Sequence, residues 1–407
     1  MTVAVIGRNN RSLLGSRMSF EAFKDRPCPA WFAQAGFGIF IHWGIFSVPA
    51  FAPRGRAIDV LARERYDDMN AFLPYAEWYE NAMRLPGSAT ARHHAATYGN
   101  RPYTEFRPAF DGTARTFDAG AWADLFRAAG ARYVVFVTKH HDGYCLWPTK
   151  VENPWRPGWH SARDFVGELA EAVRARDMRF GLYYSGGLDW TARAEPIANL
   201  GDMFACVPTE RQYTDYAAAQ LRELIALYRP SVLWNDIAWP SKTDVPALFA
   251  DYYKAVPDGV VNDRWFAEDG FFNHLREPAA RAAFNATMKA RIAASAGPLD
   301  SPPPPHCDFR TVEYGMGTIP KNKKWEACRG LGLAFGYNRQ ELPSDYLSPA
   351  ALIALHRDVT TAGGNLLINV GPMADATIPP EQSAPLIALG KTIGARQRNN
   401  PSEGALR

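Results

Sequence analysis

Short apolar runs that end on polar, reactive side chains recur along the chain, and this feature restricts the fold more than any other. In the segment S-V-L-W-N-D-I-A-W at 231–239, the run Val232–Trp234 stops on Asn235 and Asp236. A carboxylate at the mouth of a buried strand is costly unless it is paired or used. Further runs end in the same way, on His42, on His140 and His141, on Tyr183 and Tyr184, and on Arg264. The pattern is typical of a (β/α) barrel, whose C-terminal strand ends build one shared pocket, and we expect Asp236 at its centre.

Predicted helices separate these runs. The segment 118–130 has Asp118 as a suitable N-cap and Gly130 as a suitable C-cap, and the apolar run R-Y-V-V-F-V-T-K-H-H follows it. Three later helical segments are each followed by a strand, at 161–176, 210–228 and 243–256. This alternation predicts an α/β fold, a (β/α)8-like TIM barrel with a parallel sheet wrapped by helices.

The alternation breaks in the second half of the chain. We interpret residues 267–305 as an insertion in the barrel, with an extra surface helix at 273–296 followed by a stiff proline-rich connector. Residues 52–74 carry charges and little periodicity and are predicted to form a long loop. About thirty residues follow the last strand, which is too few for an independent domain. The predicted organisation is a leader at 1–30, the barrel at 31–375 and a tail at 376–407.

Composition narrows the class of protein. The net charge of +3 on 407 residues is too small to indicate nucleic-acid binding, and no apolar run is long enough to span a membrane. The N-terminus lacks the apolar core of a signal peptide, so we expect a cytoplasmic protein, with a periplasmic or secreted one left open if the N-terminus is trimmed. The 5 cysteines are scattered and odd in number, so they are expected to be reduced and structural.

The adjacent residues His140 and His141 could serve a metal or a polar ligand. Metal sites need three or four ligands at fixed spacing, such as H-E-x-x-H, and this chain has no such spacing, so no metal or cofactor is expected. Side chains of consecutive strand residues point to opposite faces, but at the end of a strand both could reach one pocket. We therefore interpret the pair as hydrogen-bonding groups for a polar ligand.

Asp236 is the candidate nucleophile or base, and such a group needs a second carboxylic acid to protonate a leaving group. Glu313 lies in the β-prone segment D-F-R-T-V-E-Y-G, and Glu326 lies in K-N-K-K-W-E-A-C. Each also has a simpler explanation, Glu313 as a solvent-facing strand residue and Glu326 as an ion-pair partner of Lys323 or Lys324. The chemistry of the residues leaves both candidates open.

A series of short segments, in order along the chain, resembles the α-L-fucosidases of glycoside hydrolase family 29. They are F-G-I-F-I-H-W-G at 37–44, E-W-Y at 77–79, K-H-H-D-G-Y at 139–144, L-Y-Y-S-G-G-L-D-W at 182–190, L-W-N-D at 233–236, N-D-R-W at 262–265, W-E at 325–326, F-G-Y-N at 335–338 and G-G-N-L-L-I-N-V-G-P at 363–372. Each is weak alone, whereas the ordered set is highly specific.

The resemblance implies a retaining exo-α-L-fucosidase that acts on fucosylated glycans or oligosaccharides through a covalent fucosyl-enzyme. Asp236 would be the nucleophile, and Glu313 is similar to the acid/base of family members with a T-V-E-Y motif. Glu326 is the second choice for that role, and otherwise a structural or sugar-contacting residue. The residues that resemble the fucose-binding shell are His42, Glu77, His140, His141, Tyr183, Trp234 and Arg264.

Two departures from the family and two alternatives accompany this interpretation. The family's C-terminal β-sandwich is not expected here, which leaves pairing of the exposed barrel face with a second subunit open. The insertion at 267–305 precedes Glu313 and makes the position of the acid/base loop less predictable. A non-catalytic fucose-binding barrel and a metal-dependent hydrolase that uses the histidines are the alternatives.

Overall fold

Eight parallel strands form one curled sheet in the computed structural model, which describes residues 19–240, 245–295, 304–314 and 322–399. The order across the sheet is β5-β4-β3-β2-β1-β8-β7-β6. The strands are β1 (Phe37–Ile41), β2 (Tyr133–Lys139), β3 (Arg179–Ser185), β4 (Val232–Asp236), β5 (Val260–Val261), β6 (Arg310–Glu313), β7 (Trp325–Gly330) and β8 (Asn365–Val370). Every residue of β1, β2 and β8 is buried, as expected for parallel strands covered on both faces. The predicted α/β barrel-like fold is confirmed.

Helices connect the strands and cover the outer face of the sheet. The α-helices of the described residues are α1 (Ala30–Ala33), α2 (Ile58–Glu64), α3 (Tyr79–Ala82), α4 (Ala89–Tyr98), α5 (Arg107–Thr113), α6 (Ala119–Ala128), α7 (Phe165–Arg174), α8 (Leu200–Ala205), α9 (Arg211–Tyr228), α10 (Val245–Ala255), α11 (Asp269–Leu275), α12 (Pro278–Ala294), α13 (Pro349–Thr361) and α14 (Pro380–Asn399). Short 3-10 helices lie at Phe20–Phe23, Ile45–Ser47, Tyr66–Ala71, Ala76–Trp78, Tyr103–Phe106, Ala114–Thr116 and Pro343–Asp345. No helix among the described residues is long and apolar enough to cross a membrane.

Local sequence explains where the clearest helices begin. The Asp118 side chain accepts a hydrogen bond from the Ala121 N–H and caps α6, as predicted. The cap of α7 is Asp164, which accepts from the Gly167 N–H, and not Ser161 as the sequence suggested. Both caps satisfy N–H groups that have no partner inside the helix.

Alternate strand residues pack on opposite sides of the sheet, and this alternation separates the core into layers. Outward residues such as Ile39 and Leu182 pack with the apolar faces of α6 and α7. Inward residues such as Phe40, Tyr183 and Trp234 form a second cluster inside the sheet. The inner cluster lies directly beneath the C-terminal strand ends and supports the polar side chains at those ends. The five cysteines are free thiols.

Asp308 closes the sheet between β5 and β6, two strands that do not pair with each other in the described part of the chain. The Asp308 N–H donates to the Val261 carbonyl at 2.9 Å, and the Val261 N–H donates to Asp308 Oδ2 at 2.8 Å. Arg26, from the segment before β1, pairs with Asp308 Oδ1 at 2.5 Å. The segment predicted as a leader therefore helps to close the barrel within its described part, which begins at residue 19.

Two predictions about the connecting segments were wrong in part. Residues 52–74 hold α2 and the 3-10 helix Tyr66–Ala71, where a loop was predicted. The single surface helix expected at 273–296 is two helices, α11 and α12, and residues 296–303 lie outside the described part. Contacts between α12 and the 58–71 segment stabilise both, and such tertiary contacts override a weak local preference.

Candidate active site

Asp236 ends β4 and faces the space inside the curled sheet. Its neighbour in register is Ser185 of β3, two residues beyond Tyr183. The Tyr183 hydroxyl donates to Asp236 Oδ2 at 2.9 Å, and the Ile237 N–H donates to Oδ1 at 2.8 Å. Arg264 Nη1 lies 3.4 Å from Oδ1. Three donors, from Tyr183, Ile237 and Arg264, thus hold the carboxylate in one orientation at the cavity.

Arg264 connects Asp236 to a second carboxylate. Its Nη2 lies 3.0 Å from Glu313 Oε2, at the end of β6, and the Tyr75 hydroxyl donates to Glu313 Oε1 at 3.3 Å. Burial of the guanidinium opposes its charge, but Glu313 and Asp236 outweigh this effect and raise the pKa of Arg264 above its ordinary value. One guanidinium therefore holds both carboxylates on the same cavity.

Glu326 lies elsewhere, inside the barrel and away from the cavity lining. The Tyr133 hydroxyl donates to its Oε2 at 2.5 Å, and the indole N–H of Trp234 donates to its Oε1 at 3.1 Å. Burial raises the pKa of Glu326 to about 7. Lys324, a partner that the sequence suggested for it, donates instead to the carbonyls of Ala33 and Gly363.

His42 presents a hydrogen-bond acceptor to the cavity. Its Nδ1 lies 2.7 Å from Asn369 Oδ1, and the Asn369 amide nitrogen donates to the Phe335 carbonyl. Because Oδ1 can only accept, Nδ1 of His42 carries the proton and Nε2 keeps its lone pair. Burial lowers the pKa of His42 to about 4, so the ring is neutral at neutral pH.

His141 is held in the same tautomer by a different partner. The Ser185 hydroxyl donates to the Leu188 carbonyl at 2.6 Å, so its oxygen accepts from His141 Nδ1, also at 2.6 Å. Nε2 then keeps its lone pair, 3.8 Å from Asp236 Oδ2. Burial lowers the pKa of His141 to about 4. A sugar hydroxyl at this position can donate to Nε2.

His140 also lines the cavity, next to His141. Both residues follow Lys139, the last residue of β2, so the alternation of the strand no longer separates them. The His140 ring stacks on Tyr183 with centroids 5.8 Å apart, and its buried Nδ1 has no hydrogen-bond partner among the described residues. Burial lowers the pKa of His140 well below its ordinary value. A buried nitrogen without a partner is costly, and a polar ligand in the cavity could satisfy it.

Glu77 reaches the cavity from the 3-10 helix Ala76–Trp78. The Gly336 N–H donates to Glu77 Oε2 at 2.7 Å, and burial raises the pKa of Glu77 to about 8. Only glycine fits at position 336, because a Cβ there would lie 2.9 Å from the Phe46 ring and 3.2 Å from the Glu77 backbone nitrogen. The F-G-Y-N segment thus approaches Glu77 closely enough to hold its carboxylate.

These groups surround one cavity of about 210 Å³. Asp236, Glu313 and every residue that the sequence suggested for sugar binding line it, whereas Glu326 does not. Phe40, Tyr183, Trp234 and Phe335 supply aromatic surface at its base. No group of three or more His, Cys, Asp or Glu side chains in the described part of the chain is arranged to hold a metal ion.

Sequence reasoning missed part of the lining. Tyr75, which contacts Glu313, and Trp78 and Phe335 lie in or beside the motif segments but were not identified individually. Met203 and Ile237 belong to an apolar wall built partly by α2 and α8. Nothing in the sequence pattern indicated that these helices approach the strand ends, because only the tertiary fold brings them there.

Two carboxylates that face one aromatic-lined pocket are the arrangement expected of a glycoside hydrolase. A sequence profile of the alpha-L-fucosidase family matches residues 11–396. An alpha-L-fucosidase of Dictyostelium discoideum is 31% identical over 92% of this chain and 72% of its own length, and the tissue alpha-L-fucosidase of Bos taurus is 32% identical over 92% and 69%. A similar solved structure is that of a Thermotoga maritima alpha-fucosidase in complex with a mechanism-based inhibitor. Its sequence is 41% identical to this chain, its TM-score is 0.76, and the match covers 94% of this chain and 77% of that one.

The fold, the carboxylate pair and these similarities agree on the class of protein, a glycoside hydrolase. The chain belongs to the alpha-L-fucosidase family. The resemblance that the ordered motifs carry is thereby confirmed.

Proposed function

We propose that this protein hydrolyses terminal α-L-fucosides with retention of configuration, with Asp236 as nucleophile and Glu313 as acid/base. The observation that carries the proposal is that Asp236 and Glu313 contact the same guanidinium, that of Arg264, at 3.4 and 3.0 Å. Retaining enzymes need two carboxyl groups roughly 5–5.5 Å apart, which is closer than inverting enzymes need. Glu326 fits the role less well, because both its oxygens bind groups inside the barrel.

The reaction would proceed in two displacements. Asp236 attacks the anomeric carbon while Glu313 gives its proton to the glycosidic oxygen, so the bond to the leaving group breaks and a fucosyl ester of Asp236 forms. Glu313, now ionised, takes a proton from water, and that water displaces Asp236 from the sugar. Two inversions give a product with the configuration of the substrate.

The remaining lining residues would bind the sugar. Neutral His42 and His141 each offer an Nε2 acceptor to a hydroxyl, and Arg264 offers donors. The aromatic rings at the base of the cavity would pack against the apolar C5 methyl group. The T. maritima enzyme has been solved in complex with fucose, which supports this assignment of the cavity to the sugar.

The direct test is the stereochemistry of the first product. Proton NMR during hydrolysis of 4-nitrophenyl α-L-fucoside should detect α-L-fucose first, with the β-anomer appearing only by mutarotation. Initial release of β-L-fucose would contradict the retaining mechanism. Binding of fucose with no hydrolysis of this activated substrate would instead support a non-catalytic fucose-binding barrel.

A further inference from the structure

The cavity lining has an apolar part that the sugar-binding groups do not explain. Ile58, Leu200, Met203 and Ile237 line it and are each half-buried; we call these four residues the rim. The polar neighbour Asn70 has its amide engaged with the Ile197 carbonyl at 3.2 Å. The rim therefore offers apolar contact and no hydrogen bonds from its side chains.

Helix α12 holds two elements of the rim in place through Asn285. Asn285 Oδ1 accepts from the Tyr66 hydroxyl at 3.0 Å, in the 3-10 helix that follows α2. The same oxygen accepts from the Gly201 N–H at 3.0 Å, in the first turn of α8. One half-buried acceptor thus connects the segment that bears Ile58 to the helix that bears Leu200 and Met203.

Two ion pairs repeat this connection on the outside. Lys289 of α12 pairs with Asp67 at 2.5 Å, and Arg281 pairs with Asp202 of α8 at 3.2 Å. The Lys289–Asp67 pair is exposed, and pairs of this kind stabilise little by themselves. The Tyr66 hydroxyl lies on a nearly fully buried ring, so its bond to Asn285 is the stronger restraint.

Ile237 fixes the rim relative to the nucleophile. It follows Asp236 directly and has φ +65°, a left-handed conformation that is costly for a β-branched residue. This conformation lets the Ile237 N–H donate to Asp236 Oδ1 while the side chain joins the rim. The apolar side chain of Ile237 is thus adjacent in sequence to Asp236, the proposed nucleophile.

We propose that the rim is the subsite for the leaving group, and that Asn285 is a positioning residue that acts through the rim. The inference rests on the proposed function. Sugar hydroxyls need polar partners, and the strand ends supply them, so the half-buried apolar rim remains for the group that departs. The subsite suits fucosides whose leaving group presents an apolar ring or chain next to the glycosidic oxygen.

The test compares two substrates that share the sugar but not the leaving group, 4-nitrophenyl α-L-fucoside and α-L-fucosyl fluoride. The value of kcat/KM reports the steps up to departure of the leaving group, and fluoride cannot contact the rim. Met203→Ala and Tyr66→Phe should each lower the ratio of two kcat/KM values, that for the aryl fucoside divided by that for the fluoride, by about tenfold. Tyr66→Phe removes only the hydroxyl that binds Asn285, so it keeps the packing of the ring.

Thr287→Ala is the matched control, on the exposed face of α12 two residues beyond Asn285, and should leave the ratio unchanged. Equal losses for both substrates, or an unchanged ratio in Met203→Ala and Tyr66→Phe, would overturn the inference. These outcomes require a wild-type enzyme that turns over both fucosides. A wild type that turns over neither would instead contradict the proposed function, so the two failures are distinguishable.

Discussion

The indole N–H of Trp234 donates to Glu326 Oε1 at 3.1 Å, so a fully buried carboxylate supports a residue that lines the cavity. The Tyr133 hydroxyl satisfies the other oxygen. Glu326 thus has a way to influence the site through Trp234 without touching a substrate. This relationship separates a supporting carboxylate from the catalytic one and leads to the first two predictions.

Glu326→Gln should change how stability depends on pH. Burial raises the pKa of Glu326 from 4.5 to about 7, so the folded protein holds this proton more tightly than the unfolded chain does. Wild type therefore loses stability as the pH rises through this window, and glutamine does not. From about pH 5 to about pH 8, the free energy of unfolding of the variant should rise relative to wild type by on the order of 3 kcal/mol. Urea unfolding at both pH values measures this, and a difference that stays constant would contradict it.

Glu313→Gln and Glu326→Gln should differ sharply in activity. The first removes the proton donor and should lower kcat/KM on a fucosyl oligosaccharide by about a hundredfold or more. The second keeps both hydrogen bonds, with the amide oxygen accepting from Trp234 and the amide nitrogen donating to Tyr133, and should stay within about threefold of wild type.

Azide provides a further readout for the same pair. In Glu313→Gln, azide needs no general base and should attack the fucosyl-enzyme, which gives α-L-fucosyl azide. The reverse result, a severe loss and an α-azide product in Glu326→Gln, would assign the acid/base role to Glu326.

Arg264→Lys should impair the enzyme although the charge is kept. A lysine ammonium is a point charge, so it cannot contact Asp236 and Glu313 with separate nitrogens as the guanidinium does. The expected loss in kcat/KM is on the order of 2 kcal/mol, about thirtyfold. Steady-state kinetics on 4-nitrophenyl α-L-fucoside test this.

Arg222→Lys is its control, because Arg222 pairs with Asp251 on the surface of α9 and should tolerate the change. If Arg264→Lys behaved like Arg222→Lys, the bridging role of the guanidinium would be refuted.

Much of the barrel could be predicted from the sequence because its strands are continuous apolar runs with polar ends. Asp236 and His42 stand at such ends, so their location on a shared pocket follows from local pattern alone. The choice between Glu313 and Glu326 could not be predicted, because it depends on where each strand begins and ends. Glu313 is the last residue of β6 and reaches the cavity, whereas Glu326 is the second residue of β7 and lies deeper inside the barrel. The connection from Asn285 to Tyr66 spans distant segments and leaves no periodic pattern.

Asp236→Gly offers the most direct test of the central claim, that Asp236 attacks the sugar. The variant should lose hydrolysis of 4-nitrophenyl α-L-fucoside by at least about a thousandfold. Azide should then enter the space left by the carboxylate and restore turnover, with β-L-fucosyl azide as the product, whereas wild type should form none. Hydrolysis by Asp236→Gly near the wild-type rate without azide would contradict the account.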